Sequence, residues 1–331
     1  MLVTGASGLV GANLIRALLA QGREVRALVH ADRRALEGQD VEPFPADVRD
    51  LASLDQAMDG VDVVYHLAAM VSVAADAGPA MEAVNVLGTR NVVTACLNSS
   101  VRRLMHFSSI EALRQEPLDQ PVDETRPLVD GDGVATASPY GRSKARGERE
   151  VEAGIAHGLD AVILNPTAMV GPYDFKPSYA GQALIQLARG RIPALVPGGF
   201  DWVDVRDVVA GAIRAEQLAP SGARYLLGGH WHTLREVAQL AASTTGRSAP
   251  LITVPLGLAD VAAPLLLQVA LRTGAPPIYT RATLRMLRGN RQVSHVRAAQ
   301  ELGYTARPLQ ASVRDTLGWF HQTGYLEARH R

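Results

Sequence analysis

The hydrophobic pattern of the first half of the chain alternates between short apolar runs and longer stretches whose apolar residues recur every three or four positions. Short apolar runs are typical of strands that are buried on both faces of a parallel sheet. They lie at 2–4, 24–29, 41–45, 61–69, 103–107 and 159–164. The stretches between them predict helices at 12–21, 51–58, 80–97 and 139–157. Strand and helix therefore alternate, which predicts an α/β fold with a doubly wound parallel sheet.

The second half of the chain carries mostly helical patterns. Helices are predicted at 179–189, 205–217, 233–245, 257–272 and 308–320, with a strand at 223–227. No repeat, low-complexity segment or linker divides the chain. We therefore expect residues 1–170 to form one domain, its sheet completed by part of 195–230. Residues 171–331 are expected to form mainly a second, smaller lobe.

The first apolar run ends in a glycine-rich turn, which a helical pattern follows at once. Gly5, Gly8 and Gly11 are spaced three residues apart, and the next strand begins at Glu24. In a strand–turn–helix–strand unit of this size, the glycines allow a tight turn and a close backbone approach to a diphosphate. The diphosphate lies at the positive N-terminus of the helix. An ordinary turn between strand and helix is the alternative, but the context favours a dinucleotide-binding site.

Composition narrows the possible partners and the cellular location of the protein. The 33 basic residues balance 33 acidic ones, so net charge predicts no basic face for nucleic acid or anionic lipid. Cys96 is the single cysteine, and we expect a reduced, buried thiol on a helix. The apolar run from Leu251 to Leu271 is interrupted by prolines and polar residues, so it better suits a helix near a pocket or interface than a membrane span. With no signal peptide visible, we expect a cytoplasmic protein with no nucleic-acid or membrane partner.

Polar residues near the ends of the later strands indicate acid–base chemistry. Tyr140 and Lys144 are four residues apart and therefore share one face of the helix at 139–157. An ammonium one turn away favours the phenolate, and so would the positive nicotinamide of an oxidised dinucleotide, so with both cations present we expect a lowered pKa for Tyr140. The strand at 103–107 runs into two serines, Ser108 and Ser109, and a hydroxyl there can hold a carbonyl oxygen. Taken alone, the spacing of Tyr140 and Lys144 is also compatible with a helix that carries an exposed tyrosine and a solvated lysine without a catalytic role.

These motifs together resemble the extended short-chain dehydrogenase/reductases of the NAD-dependent epimerase/dehydratase superfamily. The resemblance covers nearly the whole chain and rests on Thr4-Gly5-x-x-Gly8-x-x-Gly11, His66-Leu67-Ala68-Ala69, Asn85-Val86-x-Gly88-Thr89 and Tyr140-x-x-x-Lys144. The runs at 107–111 and 165–172 are similar to the branch of dihydroflavonol reductases and 3β-hydroxysteroid dehydrogenases. The family implies a Rossmann-type NAD(P)-binding domain at 1–170 and a smaller C-terminal substrate lobe. It also implies Ser109, Tyr140 and Lys144 as catalytic residues, with Ser109 preferred because the second serine of the pair matches.

The resemblance also implies the cofactor contacts. They are Gly5, Ser7, Gly8, Leu9, Val10, Gly11, His30, Arg33, Asp47, Val48, Leu67, Ala68, Ala69, Asn85, Tyr140, Lys144, Pro166 and Met169. Asp47 either meets the adenine with Val48 or only caps the next helix, and Asn85 either touches the nicotinamide side or bonds backbone within its helix. The second strand ends in Val29, without a carboxylate that would repel a 2′-phosphate, and basic residues follow. NADP(H) is therefore favoured, with NAD(H) as the alternative.

The residues just before the helix at 205–217 bear on the substrate. Nucleotide-sugar members of the family usually carry an arginine there that clamps the diphosphate, and this chain has Phe200 instead. We predict substrate contacts from Ser109, Tyr140, Asn165, Phe200 and Trp202, and no metal site. This set favours hydride transfer to an apolar or aromatic aldehyde or ketone. The alternatives are a nucleotide-sugar epimerase or dehydratase, with Arg281 or Arg285 on the phosphate, and a non-catalytic NAD(P)-sensing regulator.

Two further expectations concern the surface. The polar stretch at 116–138 is long for a connection within a compact domain, so we interpret it as a cover over the site. Family members commonly pair the helices that correspond to 80–97 and 140–157, which implies a homodimer. The alternative is that the apolar residues of these helices are all internal.

Overall fold

The computed structural model describes residues 1–30, 32–72, 77–130, 137–273 and 278–326. Its strands are β1 (Leu2–Thr4), β2 (Arg26–Val29), β3 (Glu42–Pro45), β4 (Val63–His66), β5 (Arg103–Phe107), β6 (Ala161–Pro166), β7 (Ala168–Val170), β8 (Ala194–Leu195), β9 (Gly199–Asp204), β10 (Arg224–Leu227), β11 (His230–Thr233) and β12 (Ile252–Thr253). Its α-helices are α1 (Leu9–Ala20), α2 (Leu51–Ala57), α3 (Gly78–Glu82), α4 (Gly88–Asn98), α5 (Pro139–Ala156), α6 (Tyr179–Ala188), α7 (Val205–Leu218), α8 (Leu234–Thr245), α9 (Leu256–Thr273), α10 (Arg281–Met286), α11 (Val296–Leu302) and α12 (Leu309–Gln322).

Seven of these strands form one parallel sheet in the order β10-β6-β5-β4-β1-β2-β3. The chain builds outward from β1 in both directions, first through β2 and β3 and then through β4, β5 and β6. The crevice between β1 and β4 is therefore the switch point at which doubly wound sheets bind their ligands. The predicted fold class is confirmed, and β10 adds to the sheet edge beside β6.

Apolar side chains cover both faces of this sheet, which is why each strand reads as a nearly continuous apolar run. On one face, Leu14 of α1 and Val208 of α7 pack against the strands. On the other face, Leu54 of α2 and Val92 of α4 do the same. Cys96 lies in this second layer at 2% exposure, as expected, and burial raises the pKa of its thiol to about 12.

The C-terminal lobe has a core of its own, in which α6, α8 and α12 pack around Leu184, Val237 and Leu317. The strands β7, β8, β9, β11 and β12 and the helices α10 and α11 were not predicted. The predicted helix at 80–97 is interrupted, since a π-helical turn at Ala83–Leu87 joins α3 to α4. None of the helices in the described ranges is long and apolar enough to cross a bilayer.

Candidate active site

The glycine-rich turn leaves room for a ligand at the start of α1. Gly5 has a φ of +66°, and a Cβ there would lie 2.7 Å from the Ala68 nitrogen, so only glycine fits. The Gly8 N–H donates to the Gly5 carbonyl at 3.0 Å and closes the turn. Helix α1 then begins after Gly8 without a side-chain cap. Its first N–H groups therefore point outward with the positive end of the helix dipole, an arrangement that fits a diphosphate.

A buried hydrogen-bond network connects this turn to the neighbouring strands. Thr4 Oγ1 accepts the N–H groups of Leu67 and Ala68, both at 3.1 Å, and lies 2.8 Å from His66 Nδ1. His66 Nε2 lies 3.0 Å from Thr89 Oγ1 on α4. The network thus holds the small-residue loop after β4 directly against the glycine turn.

Proton counting assigns the tautomer of His66. The Thr89 hydroxyl donates to the Asn85 carbonyl at 2.7 Å, so His66 Nε2 must be the donor to Thr89 Oγ1. His66 Nδ1 is then the acceptor of the Thr4 hydroxyl proton. Burial, and next the charge of Lys144, lower the pKa of His66 to about 3, so the ring stays neutral.

The predicted catalytic hydroxyls meet at the carboxyl end of β5. The Ser109 hydroxyl lies close enough to Tyr140 to lower the pKa of its phenol, and Ser109 Oγ accepts the Glu111 N–H at 3.2 Å. Ser108 Oγ is buried without a partner among the described residues. Of the two serines, Ser109 is therefore the one that the structure places against Tyr140.

The pKa of Tyr140 differs from the sequence-based expectation. Burial raises it above its ordinary value, and the nearby Glu111 carboxylate raises it further, while the Ser109 hydroxyl opposes both. Glu111 is half-buried and accepts the Ser138 hydroxyl at 2.7 Å. Burial raises the pKa of Glu111 as well. The protein alone thus keeps Tyr140 protonated instead of favouring the phenolate.

Lys144 lies one turn further along α5 and is almost completely buried, with 3% of its surface exposed. Its ammonium donates to the Phe107 carbonyl at the end of β5 at 2.6 Å. Burial lowers the pKa of Lys144 to about 8, while the carboxylate of Glu148 opposes this effect. The site therefore contains a cation that is close to deprotonation at neutral pH.

Asn165 supports Ser109 from a fully buried position, which corrects its predicted substrate contact. The side chain is fully buried and donates to the Ser109 carbonyl at 3.0 Å and to Glu148 Oε1 at 2.7 Å. Glu148 is itself buried and accepts from Arg224 of β10 at 2.5 Å. These contacts span α5, β6 and β10 and hold the backbone of Ser109.

Asn85 also has a different role from the two that the sequence left open. From the π-helical turn, its carboxamide bonds both the N–H and the carbonyl of Met70, at 2.7 and 2.9 Å. It also donates to Ser143 Oγ at 2.9 Å, whose hydroxyl donates to the Tyr140 carbonyl. Asn85 therefore connects the loop after β4 to the first turn of α5. Both ends of its carboxamide are thus hydrogen-bonded within the protein.

The residues that were predicted to contact the adenosine part of the cofactor lie at the ends of β2 and β3. His30 is exposed, with its Nε2 3.6 Å from Asp47 Oδ2, and the exposed Arg33 side chain has no hydrogen bond or ion pair among the described residues. Arg49 bonds Asp47 and lowers the pKa of that carboxyl to about 2. The Val48 side chain packs on Gly88 of α4 in the core, so its predicted contact with adenine cannot come from the side chain.

The two aromatic residues that were predicted to contact substrate, Trp202 and Phe200, differ in burial. Trp202 is 5% exposed, packs in the core of the C-terminal lobe and donates its indole N–H to the His232 carbonyl at 3.3 Å. This corrects its prediction as a substrate contact. Phe200 is only partly buried and meets Trp202 edge to face at 5.6 Å. Met169 in β7 is also partly buried, and Pro166 is buried at the end of β6.

The predicted cover at 116–138 is attached to the C-terminal lobe over its described part. Asn290 donates to the carbonyls of Gln115, Pro117 and Gln120. Arg126 bonds several carbonyls of the same stretch. Residues 131–136 of the predicted cover lie outside the described residues.

Comparison with known proteins identifies the superfamily. Residues 1–228 match the model of the NAD dependent epimerase/dehydratase family. The chain belongs to the NAD dependent epimerase/dehydratase family. The glycine turn, the Ser109–Tyr140 pair and Lys144 lie within the matched part of this epimerase/dehydratase family member.

Its similar proteins include reductases and sugar-nucleotide enzymes. Sterol demethylase protein B of Methylococcus capsulatus is 36% identical over 98% of this chain and 99% of the relative. A dihydroflavonol 4-reductase-like protein of Synechocystis sp. is 32% identical over 99% and 96%. The crystal structure of gox2253 superposes with a TM-score of 0.85 at 33% identity over 98% of this chain and 99% of that one. Other relatives are a ketoreductase of a farnesylated dihydroquinoline oxide from Stigmatella aurantiaca and a UDP-glucose 4-epimerase from Mycolicibacterium smegmatis.

Three side chains of the site were not predicted from the sequence. Glu148 follows Lys144 by one further helical turn, so the spacing that identified Tyr140 and Lys144 could have found it. Glu111 stands in the run at 107–111, where nothing local indicates that its carboxylate reaches Tyr140. His106, fully buried beside His66 with a ring separation of 5.4 Å, has no hydrogen-bond partner on either nitrogen within the described ranges.

Proposed function

We propose that this family member is an NADP(H)-dependent reductase of apolar or aromatic aldehydes and ketones. The observation that carries the proposal is the Ser109–Tyr140 hydroxyl pair beside the buried cation of Lys144. Two adjacent hydroxyls can both donate to one carbonyl oxygen, which is where negative charge develops during reduction. The relatives named for ketone or dihydroflavonol reduction support the same chemistry.

Bound NADP(H) would supply the hydride that adds to the carbonyl carbon. In the reducing direction, Ser109 holds the carbonyl oxygen and Tyr140 donates its phenolic proton to that oxygen, which completes the alcohol. The raised pKa of Tyr140 keeps that proton available until the oxygen gains charge. Lys144 places a cation one turn away, which stabilises the phenolate left behind.

The residues that would hold the cofactor fit NADP(H). The glycine turn and the uncapped start of α1 suit the diphosphate. The end of β2 has Val29 in place of a carboxylate, and Arg33 stands exposed beside it. The neighbouring Arg34 is already bonded to Asp32 at 2.6 Å, so Arg33 and His30 are the groups proposed to meet a 2′-phosphate.

The apolar substrate class rests on the surroundings of Phe200. Its ring packs against two apolar clusters of the C-terminal lobe, which include Leu184 and Leu287. A diphosphate placed beside this ring would lose water without gaining donors. The alternative phosphate ligands, Arg281 and Arg285, line a surface cavity that contains none of the catalytic residues. Relatives named for a sterol and a farnesylated ketone support a large apolar substrate.

The test is oxidation of NADPH by the purified protein against a panel of aromatic aldehydes, apolar ketones and nucleotide sugars. We expect turnover with at least one carbonyl compound and tighter binding of NADPH than NADH in a fluorescence titration. Absence of turnover across the carbonyl panel would overturn the reductase assignment. Equal or tighter binding of NADH would overturn the cofactor preference alone.

The second candidate is a nucleotide-sugar epimerase or dehydratase with tightly bound NAD. The observation that favours it is the similarity to UDP-glucose 4-epimerase, 30% identical over 69% of this chain. The two candidates differ in the affinity for sugar nucleotides. Millimolar UDP- or dTDP-sugar is expected to give no thermal shift, and micromolar affinity for one of them would favour the epimerase.

A further inference from the structure

Helix α9 presents an apolar face to solvent. Leu258, Val261 and Leu265 are three or four residues apart and share one face, with exposures of 64%, 81% and 69%. Leu266 beside them is 45% exposed. Half of the large apolar side chains that stand exposed in the described ranges lie between Leu251 and Val269. Single exposed apolar residues are ordinary, but a concentration of this size marks an interaction surface.

The opposite face of α9 is fixed to the lobe, so the exposed face is held outward. Ala259 and Ala263 pack with Leu284 and Leu287 from the region of α10. An ion pair of 2.5 Å between Asp260 and Arg288 joins the same two elements. The apolar face therefore belongs to a helix that is already packed on its other side.

Basic side chains border this apolar face. Arg281, Arg285 and Arg288 line an open surface cavity of about 360 Å³ together with Asp260 and Val261, which itself belongs to the exposed face. The side chains of Arg281 and Arg285 form no hydrogen bond or ion pair within the part of the chain that the structure describes. Between residues 247 and 291, Asp260 is the single acidic residue among six arginines. The segment is thus strongly basic, although the whole chain has a formal charge of +0.

We propose that α9 docks this protein on the surface of an anionic phospholipid bilayer. The apolar face would insert at the boundary between headgroups and acyl chains, and Arg281 and Arg285 would bind lipid phosphates. Anionic leaflets attract basic segments near their surface, and the attraction depends on local charge, not on the charge of the whole chain. The proposal therefore replaces the expectation of no membrane partner, which rested on overall charge balance and on the interruptions of the apolar run at 251–271. Docking of this kind is peripheral and needs no spanning helix.

The charge pattern favours lipid over a second copy of the chain. A two-fold dimer through this face would bring the same arginines of both copies to one interface. Asp260, the acidic residue of the segment, is already paired with Arg288. Lipid phosphates supply the negative charge that the segment itself lacks.

The experiment is flotation of the full-length protein with vesicles of phosphatidylcholine mixed with phosphatidylglycerol. We expect the protein to float with these vesicles, to remain behind with pure phosphatidylcholine, and to bind less as salt is raised. The double variant Leu258→Gln/Leu265→Gln is expected to lower the partition coefficient by about tenfold or more. Arg281→Ala/Arg285→Ala is expected to lower it by about tenfold.

Matched controls use exposed residues elsewhere. Leu218→Gln, at the end of α7, and Arg314→Ala, on α12, should keep the wild-type partition coefficient. Absence of flotation at low salt, or equal flotation of the α9 variants, would overturn the proposal. A dimer that Leu258→Gln/Leu265→Gln splits in light scattering would overturn it too, because a second copy would then cover the face. Flotation requires no turnover, so its result is independent of the proposed reductase function.

Discussion

Burial acts in opposite directions on the pKa values of the two central side chains. It raises the pKa of the neutral acid Tyr140 and lowers the pKa of the cation Lys144, because an apolar environment disfavours the charged form of each. At neutral pH the site therefore holds a protonated phenol beside an ammonium group with a pKa of about 8. This is the protonation state that a proton donor for carbonyl reduction requires.

Replacing Tyr140 tests its role as the proton donor. Tyr140→Phe should lower the reduction rate by about 10²–10⁴-fold, because only the proton donor is lost. NADPH affinity should stay nearly unchanged. Steady-state kinetics and a fluorescence titration measure the two quantities, and Tyr179→Phe, an exposed tyrosine on α6, is the control. A Tyr140→Phe enzyme that kept most of its activity would contradict the assignment.

The pKa of Lys144 predicts a pH dependence of reduction. Below about 8 the side chain is an ammonium and stabilises the phenolate of Tyr140, and above that value the cation is lost. The rate of reduction should therefore decline as the pH rises through this range. A pH profile of kcat/KM for NADPH-dependent reduction measures the decline. A profile that stays flat well above pH 8 would show that the charge of Lys144 is not needed.

The same shift predicts that Lys144 destabilises the fold. Its pKa is lower in the folded chain than the ordinary 10.5, so the unfolded chain binds this proton more tightly. Lys144→Met should therefore raise the free energy of unfolding by about 1–3 kcal/mol at neutral pH without cofactor. The difference should shrink as the pH approaches 10.5, where the wild-type lysine is neutral in the folded chain. A lower melting temperature for the variant would contradict the predicted gain in stability. Turnover and cofactor affinity should both fall in the same variant.

At the scale of elements, α5 organises the site. It presents Tyr140, Lys144 and Glu148 on successive turns, and Glu148 holds Asn165 of β6. Asn165 in turn holds the Ser109 carbonyl at the end of β5. One helix thereby places the Tyr140 phenol, the Lys144 ammonium and, through a neighbouring strand, the Ser109 hydroxyl.

Removing Asn165 tests this connection. Asn165→Ala leaves the Ser109 carbonyl and one oxygen of Glu148 without their shared donor, so the serine loses its support. We expect kcat to fall by about tenfold, since Ser109 is displaced from its place in the transition state. KM for NADPH should change little, because the glycine turn is not touched. Asn98→Ala, an exposed asparagine at the end of α4, is the control. Unchanged kcat, or a loss confined to NADPH binding, would contradict the connection.

At the scale of the whole molecule, α4 and α5 remain the proposed dimer surface. Leu97 on α4 is 42% exposed, and Arg90 of α4 pairs with Glu150 of α5 at 2.8 Å on the outer side. We expect a homodimer at micromolar concentration, measured by light scattering. Leu97→Glu should shift it toward the monomer, since a two-fold interface carries each substitution twice. Leu218→Glu is the control, and a monomeric wild-type chain would contradict the prediction.

The sequence by itself determined the features that depend on local periodicity. Strands buried on both faces of a sheet must be apolar throughout, so the parallel sheet could be predicted from short apolar runs. A turn that requires a positive φ requires glycine, so Gly5 and its spacing located the start of α1. Residues four apart on a helix share a face, so the spacing of Tyr140 and Lys144 was enough to place them together.

Only the tertiary structure decided which way the other polar and aromatic groups point and what surrounds them. Asn165 faces Ser109, Asn85 faces Met70 and Trp202 faces the lobe core, because each direction depends on elements that are distant in the chain. The rise in the pKa of Tyr140 within the protein itself was not predicted, for the same reason. It depends on burial and on Glu111, and neither is visible in a four-residue spacing. Local patterns determine which element a residue belongs to, and the packing of elements determines its partners and its charge.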